Sequence, residues 1–260
     1  MNKQEGSSRI EWTDYTLNPI SGCRHRCRWS LDSSAHVITC YAEDVASGIA
    51  RKTYPNGFEY RYWHPDRLDE PVKVKEPSKI FLVSMGDLLG SWVPDDQIKA
   101  VIQTMHRADW HQYQVLTKAA KRLLKFDWPT NAWLGVSMPP DYMMNQSLTM
   151  QQKEAFLRVA FDVLADLKAR GHITFMSFEP LSWDVAPLVK ADALSWAIIG
   201  AASNGLKYYQ PEKAHLVNLL GTLNPKAVPV FFKGNLRESI PEGEWREEFP
   251  AFEQKQPEPE

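Results

Sequence analysis

Six apolar runs recur along this chain, each ending in a small or polar residue and each followed by a stretch that reads as helix or turn. They are Ile80–Met85, Tyr113–Lys118, Ala132–Ser137, Ile173–Glu179, Trp196–Gly200 and Val228–Lys233, and a weaker run at Tyr15–Ile20 precedes them. Most are continuously apolar instead of alternating, the pattern of parallel strands buried on both faces. Helical patterns lie between them at Cys40–Lys52, Pro94–Ala108, Ala119–Lys125, Thr149–Arg170 and Pro211–Leu223. Pro94, Asp95 and Asp96 suit a first turn, and Gly171 suits a helix stop. Strands alternating with helices predict an α/β fold with a parallel sheet. No G-x-G-x-x-G follows any strand, so a partial or complete parallel (β/α) barrel of about six to seven strands is favoured over a doubly wound sheet.

A chain of 260 residues suits one such domain. The expected organisation is a flexible N-terminus over 1–8, a single barrel domain over 9–240 with an aperiodic excursion at 53–77, and a solvated, acidic, Pro-rich tail over 241–260. No run of about 18 apolar residues and no basic-then-apolar leader is present, so a cytoplasmic protein with no membrane partner is expected. The formal net charge of −2 gives the whole protein no general attraction for nucleic acid. Arg24, His25, Arg26 and Arg28 nevertheless cluster, either to meet phosphates, to offset a thiolate-bound centre, or as a solvated loop.

That cluster interleaves with the chain's whole thiol inventory. Cys23, Cys27 and Cys40 are the three cysteines, spaced C-x3-C-x12-C. An odd number fits poorly with a disulfide framework. A structural zinc closes with four protein ligands, whereas three thiolates leave one coordination position open for chemistry.

Polar residues end the apolar runs. Asn18 follows the first, Ser84-Met85-Gly86-Asp87 ends the second, and Lys118 and Ser137 end the next two. Glu179, then Gly200 with Ser203 and Asn204, then Lys233 complete the series. In a parallel barrel these positions converge on the mouth that holds the site. Each has a structural explanation by itself, an internal Lys118–Glu179 salt bridge or an Asp87 turn cap among them. Glu179 stands out, because a carboxylate after an apolar strand needs a partner or a function. Three thiolates at such a mouth suit an iron–sulfur cluster with one open iron, able to chelate S-adenosylmethionine.

The segments Ile10-Glu11-Trp12-Thr13-Asp14, Asn18-Pro19-Ile20-Ser21-Gly22-Cys23 and Cys40-Tyr41-Ala42-Glu43 resemble a phage-associated family of radical-SAM-like proteins. So do Ser84-Met85-Gly86-Asp87-Leu88, Gln114–Lys118, Trp133–Ser137, Ser177–Leu181 and Phe231-Phe232-Lys233. The resemblance runs over about 9–235, and photoproduct lyases are distant relatives of that family. It implies a 4Fe–4S cluster on Cys23, Cys27 and Cys40, with S-adenosylmethionine cleaved reductively by an external electron donor. Hydrogen abstraction from a substrate, a nucleobase or nucleic acid, would follow. On this reading Tyr41, Ser84, Met85, Asp87, Ser137, Gly200, Ser203 and Asn204 bind cofactor, and Lys118, Glu179 and Lys233 are catalytic.

Two departures stand out. The usual motif is C-x3-C-x2-C, so Arg28–Thr39 has to bulge out as a loop, which loop-closure entropy tolerates; His25 or His36 is the substitute ligand if Cys27 is not one. The family's Gly-Gly-Glu-Ser-Gly-like turn is here Gly200-Ala201-Ala202-Ser203-Asn204-Gly205, without the acidic residue. A photoproduct-lyase reaction is also expected to need a further cysteine as hydrogen donor, a part left here to a tyrosine such as Tyr41 or Tyr142. The alternatives are a non-catalytic protein binding zinc or a cluster through the same cysteines, and a barrel hydrolase or lyase using Asp87, Lys118 and Glu179 without one.

Overall fold

The computed structural model describes residues 1–6, 9–30, 37–204, 207–253 and 255–256. Each apolar run forms a strand of one large sheet: β2 (Tyr15–Leu17), β3 (Lys79–Leu82), β4 (Gln112–Thr117), β5 (Ala132–Ser137), β6 (Ile173–Phe178), β7 (Trp196–Ile199) and β8 (Val230–Phe232). These seven are mutually parallel. An eighth strand, β1 (Asn2–Lys3), pairs antiparallel with β2, so part of the segment expected to be flexible is anchored in the sheet. The strand order follows chain order from β1 to β8. Each crossover therefore steps to the adjacent position, and right-handed crossovers put their helices on one face.

The helices are α1 (Tyr41–Ser47), α2 (Glu70–Lys73), α3 (Asp95–Arg107), α4 (Ala120–Leu123), α5 (Met150–Ala169) and α6 (Lys213–Leu223). Thr149 and Gln152 form a reciprocal capping box at the start of α5, where the sequence places a cap residue followed by Gln. The first helix is shorter than the expected 40–52, because the chain turns at Gly48 and resumes as a 3-10 turn at Arg51–Thr53. Among the described residues no helix is long and apolar enough to cross a membrane.

The period of two along each strand sorts side chains onto two faces. One face supplies Ile80, Leu82, Tyr113, Val115, Leu134, Val136 and Met176 to a core shared with Leu157, Phe161 and Leu164 of α5. The other carries an aromatic cluster of Trp12, Phe81, Trp133, Phe175, Trp196 and Phe231. Gly135 sits within it because a Cβ there would lie 2.4 Å from the Phe175 ring.

The C-terminal segment departs from the solvated tail expected of its composition. Trp196 donates its indole N–H to the Glu248 carbonyl at 2.7 Å, and Phe249 stacks on Trp196 at 5.3 Å between centroids. Phe252 meets Trp133 edge-on at 5.1 Å. Aromatic residues spaced among the Glu and Pro give this stretch an apolar side, and it closes the base of the aromatic cluster.

Candidate functional site

Continuing the same alternation past the aromatic layer turns the inward face polar. Phe175 is followed two residues on by Ser177 and then Glu179; Trp133 and Gly135 are followed by Ser137; Leu116 by Lys118; Phe231 by Lys233. All these polar groups line one cavity of about 220 Å3, and so do Cys23, Cys27 and Cys40.

The first cysteine is set by backbone packing. The Asn18 carboxamide oxygen accepts the Met85 N–H at 2.9 Å, fixing the turn after β3. Gly22 then donates to the Met85 carbonyl and Cys23 to the Phe58 carbonyl, each at 2.8 Å. Gly22 has φ +92°, and a Cβ there would stand 2.0 Å from the Tyr60 carbonyl oxygen, so only glycine fits. Phe58 and Tyr60 belong to the 53–77 excursion, which thus buttresses the cysteine loop.

The long second spacing is resolved by a hairpin. Arg28–Ser30 pairs antiparallel with Val37–Thr39, and the Cys40 N–H donates to the Cys27 carbonyl at 3.2 Å at its neck. Residues 31–36, with His36 among them, lie outside the described residues. The hairpin also pairs with Tyr142–Met143, which in turn pairs with Gln146–Ser147, giving a four-stranded antiparallel sheet. Only the neck has to meet the cavity, so the inserted length is absorbed without separating Cys27 from Cys40.

Asp87 is buried and saturated. One carboxylate oxygen accepts from the Thr117 hydroxyl at 2.7 Å and the Leu89 N–H at 2.9 Å. The other accepts from His25 Nε2 at 2.8 Å and the Lys118 N–H at 2.9 Å. Burial pushes its pKa up, but the bonds from His25, Thr117 and Lys118 prevail and hold it below the usual carboxylate value. The carboxylate is therefore ionised and acceptor-only, which makes His25 Nε2 the donor, while the buried Nδ1 meets no partner among the described residues.

Two arginines of the basic cluster pair with carboxylates within the protein. Arg28 makes a bidentate pair with Glu43 at 2.8 and 2.7 Å, Arg26 pairs with Glu59 at 3.1 Å, and Arg24 donates to the Glu59 carbonyl at 3.3 Å. Arg26 and Arg28 thus tie the cysteine loop to its neighbours, while Arg24 stands exposed.

On the opposite wall, Lys118 Nζ donates to the Ser137 hydroxyl at 2.8 Å and stands 6.0 Å from the Trp29 ring centre. Lys233 forms its ion pair with Glu179, not Lys118 with Glu179. Gly200 is the spacer for that pair, since a Cβ there would fall 2.9 Å from Glu179 Cγ and 3.2 Å from Lys233 Cδ. Asn235 holds the following turn by accepting from the Ala201 N–H at 3.0 Å and donating to its carbonyl at 2.8 Å. Ser203 reaches the cavity; the Asn204 side chain and Gly205 lie outside what is described. Ser84 and Tyr41 also line it, the Tyr41 hydroxyl lying 3.4 Å from the Ser84 carbonyl. The Tyr41 ring is half exposed, but burial around its hydroxyl pushes its pKa up to about 12. Met85 packs behind this wall, beneath Tyr41.

The sequence reading missed Ser177, Trp29 and Glu11. Ser177 was legible from its period-two position between Phe175 and Glu179. Trp29 comes in only through the hairpin, and Glu11 accepts the Gly234 N–H across the gap between the first and last parallel strands, at 2.9 and 3.0 Å.

All three cysteines are free. Burial raises the Cys23 thiol well above its ordinary pKa, with the Asp87 charge adding to the rise and a bond from the His25 N–H opposing it. Burial pushes Cys27 up to about 11 against the pull of Lys118. Both thiols are therefore protonated at neutral pH. Among the described residues, no group of three or more His, Cys, Asp or Glu side chains is arranged around a single metal ion.

Among solved structures, the chain is similar to a spore photoproduct lyase complexed with dinucleoside spore photoproduct, with a TM-score of 0.47 and 12% identity over 85% of this chain and 64% of that one. A spore photoproduct lyase double mutant with bound AdoMet and dinucleoside spore photoproduct matches with a TM-score of 0.46 and 12% identity over 85% and 64%. The chain thus spans about 64% of the length of these structures. No curated protein matches it. A family match covers residues 7–248, and the chain belongs to the family described as "Protein of unknown function (DUF5131)".

Proposed function

We propose that the protein is a radical-SAM enzyme, its sheet a partial (β/α) barrel and its cavity the site of a 4Fe–4S cluster and S-adenosylmethionine. The observation that carries this reading is the convergence of every thiol in the chain on one cavity beyond the C-terminal ends of the parallel strands. A single zinc draws its thiolate ligands to about 2.3 Å. A cluster, by contrast, takes each thiolate on a separate iron corner.

Such a cluster, with an external electron donor, would supply one-electron reductive chemistry on S-adenosylmethionine. Cys23, Cys27 and Cys40 would hold it. Asp87 fixes His25, Thr117 and the Lys118 backbone around the cysteine loop. Ser137 and Ser84 offer hydroxyls, Tyr41 a hydroxyl that stays protonated, and Lys118, held by Ser137, an ammonium that would pair with a carboxylate of a bound cofactor. The Glu179–Lys233 pair keeps a carboxylate and an ammonium within the cavity while leaving it electrically balanced. Trp12, Trp29 and Phe81 give it aromatic walls, on which a nucleobase-containing substrate can stack for about 1–3 kcal/mol per base.

The test is reconstitution of the anaerobically purified protein with iron and sulfide, followed by assay for 5′-deoxyadenosine under a strong reductant. Iron and sulfide in equal amounts, with cofactor cleavage, are expected. Failure to assemble any cluster in a folded protein removes the reading.

A further inference from the structure

We propose that Cys27 and Cys40, when unligated, form a disulfide across the neck of the hairpin, making this neck an oxidative modification site from which Cys23 is excluded. The pairing register carries the inference. Arg28 faces Thr39, Trp29 faces Ile38 and Ser30 faces Val37. Extending that register by one step sets Cys27 directly opposite Cys40, and the Cys40 N–H bonded to the Cys27 carbonyl at 3.2 Å shows that the pairing continues there.

Opposite residues in a hydrogen-bonded antiparallel pair have Cα atoms about 5.5 Å apart, inside the roughly 4.4–6.8 Å that a disulfide spans. Their Cβ atoms, about 4.5–5.5 Å apart, have to close to about 4.5 Å or less. Cys27 and Cys40 stand one step beyond the ends of the paired strands, and the closure is made there. Cys23 stands outside the hairpin, its N–H bonded to Phe58 on the excursion, and no strand register aligns it with either partner.

The two thiols also differ in access. Both line the cavity, but Cys27 is 5% exposed whereas Cys40 is partly exposed. A low-molecular-weight disulfide, such as oxidised glutathione, is the oxidant. Cys40 Sγ attacks one of its sulfurs, forming a mixed disulfide and expelling one thiol. Cys27 Sγ then attacks Cys40 Sγ, forming the protein disulfide and expelling the second. Two protein thiols lose two electrons and two protons, and the small disulfide becomes two thiols.

The experiment uses the full chain stripped of metal with a chelator, incubated with oxidised glutathione, denatured, alkylated and mapped by mass spectrometry. Free thiols are expected to fall from three to one, with the Cys27 and Cys40 peptides joined, Cys23 alkylated, and a dithiol reversing the change. Cys23→Ser is expected to leave the joined peptides unaltered. A lasting glutathione adduct on Cys40 beside an alkylated Cys27 overturns the proposal, and so does a bridge that contains Cys23. Neither result bears on cluster assembly, which is read separately from iron and sulfide content.

Discussion

The His25 imidazole and the Asp87 carboxylate meet at 2.8 Å behind the cysteine loop, closed off from solvent. His25 lies between Cys23 and Cys27, and Asp87 follows Gly86, whose backbone bridges to Gly22. The contact therefore ties the cysteine loop to the turn after β3. In Asp87→Asn the amide keeps an oxygen for only one of the two donor pairs, so its NH2 faces either the Leu89 or the Lys118 N–H and strands that buried donor. A loss of about 1–3 kcal/mol is expected, read from urea unfolding midpoints. An unchanged midpoint would show that the carboxylate is dispensable to the fold.

Gly22→Ala is expected to be more damaging. The residue needs φ +92°, and the added methyl would stand 2.0 Å from the Tyr60 carbonyl oxygen. Strain and overpacking together cost about 2–5 kcal/mol. Thermal unfolding should drop, and the reconstituted variant should bind less iron than the parent, because Cys23 follows directly.

Glu179 and Lys233 should be energetically coupled. Each side chain is mostly buried beside the cavity, so removing one partner leaves the other charge without its counterion. A double-mutant cycle of Glu179→Gln and Lys233→Met, followed by urea unfolding, is expected to give a coupling of about 1–3 kcal/mol. Additive single effects would show that the pair is not held in solution.

His111 should give the protein a slope of stability against pH. It is fully buried, its Nδ1 accepting from the Ser78 N–H at 3.2 Å and its Nε2 donating to the Pro71 carbonyl at 3.0 Å. Burial, partly offset by the Pro71 and Val74 backbone, lowers its pKa below 6.5. The unfolded chain then binds the proton more readily than the folded one, so stability rises with pH across this window. The contribution is complete above about pH 6.5 and is lost as pH falls from there through the folded value. Chemical unfolding at pH 5 and pH 7.5 should show a smaller difference for His111→Gln than for the parent.

Much of the α/β layout was legible because parallel strands buried on both faces leave a mark in sequence. Val136 and Trp133 are both apolar, although one meets the helices and the other the aromatic cluster. The polar strand ends were legible for the same reason: Ser137, Glu179 and Lys233 continue the inward alternation one or two steps past the apolar layer. The partnering was not, since Lys118 turns to Ser137 and leaves Glu179 to Lys233. That choice depends on which strands are neighbours and on the room left by Gly200. Composition also misled at 249–252, where Phe249 and Phe252 are too few to signal a core segment but meet Trp196 and Trp133 of the aromatic cluster.

By itself the sequence determined that seven buried strands would alternate with helices and that all three thiols would enter near the first of them. Apolar periodicity and residue identity are local properties, and they survive in a linear string. Only the tertiary structure decided that Arg28–Ser30 would pair with Val37–Thr39 and set Cys40 beside Cys27, and that Arg26 and Arg28 would pair with Glu59 and Glu43. It also decided that Asp87 would be an anchor saturated by His25, Thr117, Leu89 and Lys118. Those outcomes depend on which groups meet across long separations in the chain, where a hydrogen bond or ion pair is won by whichever partner the packing brings within about 3 Å.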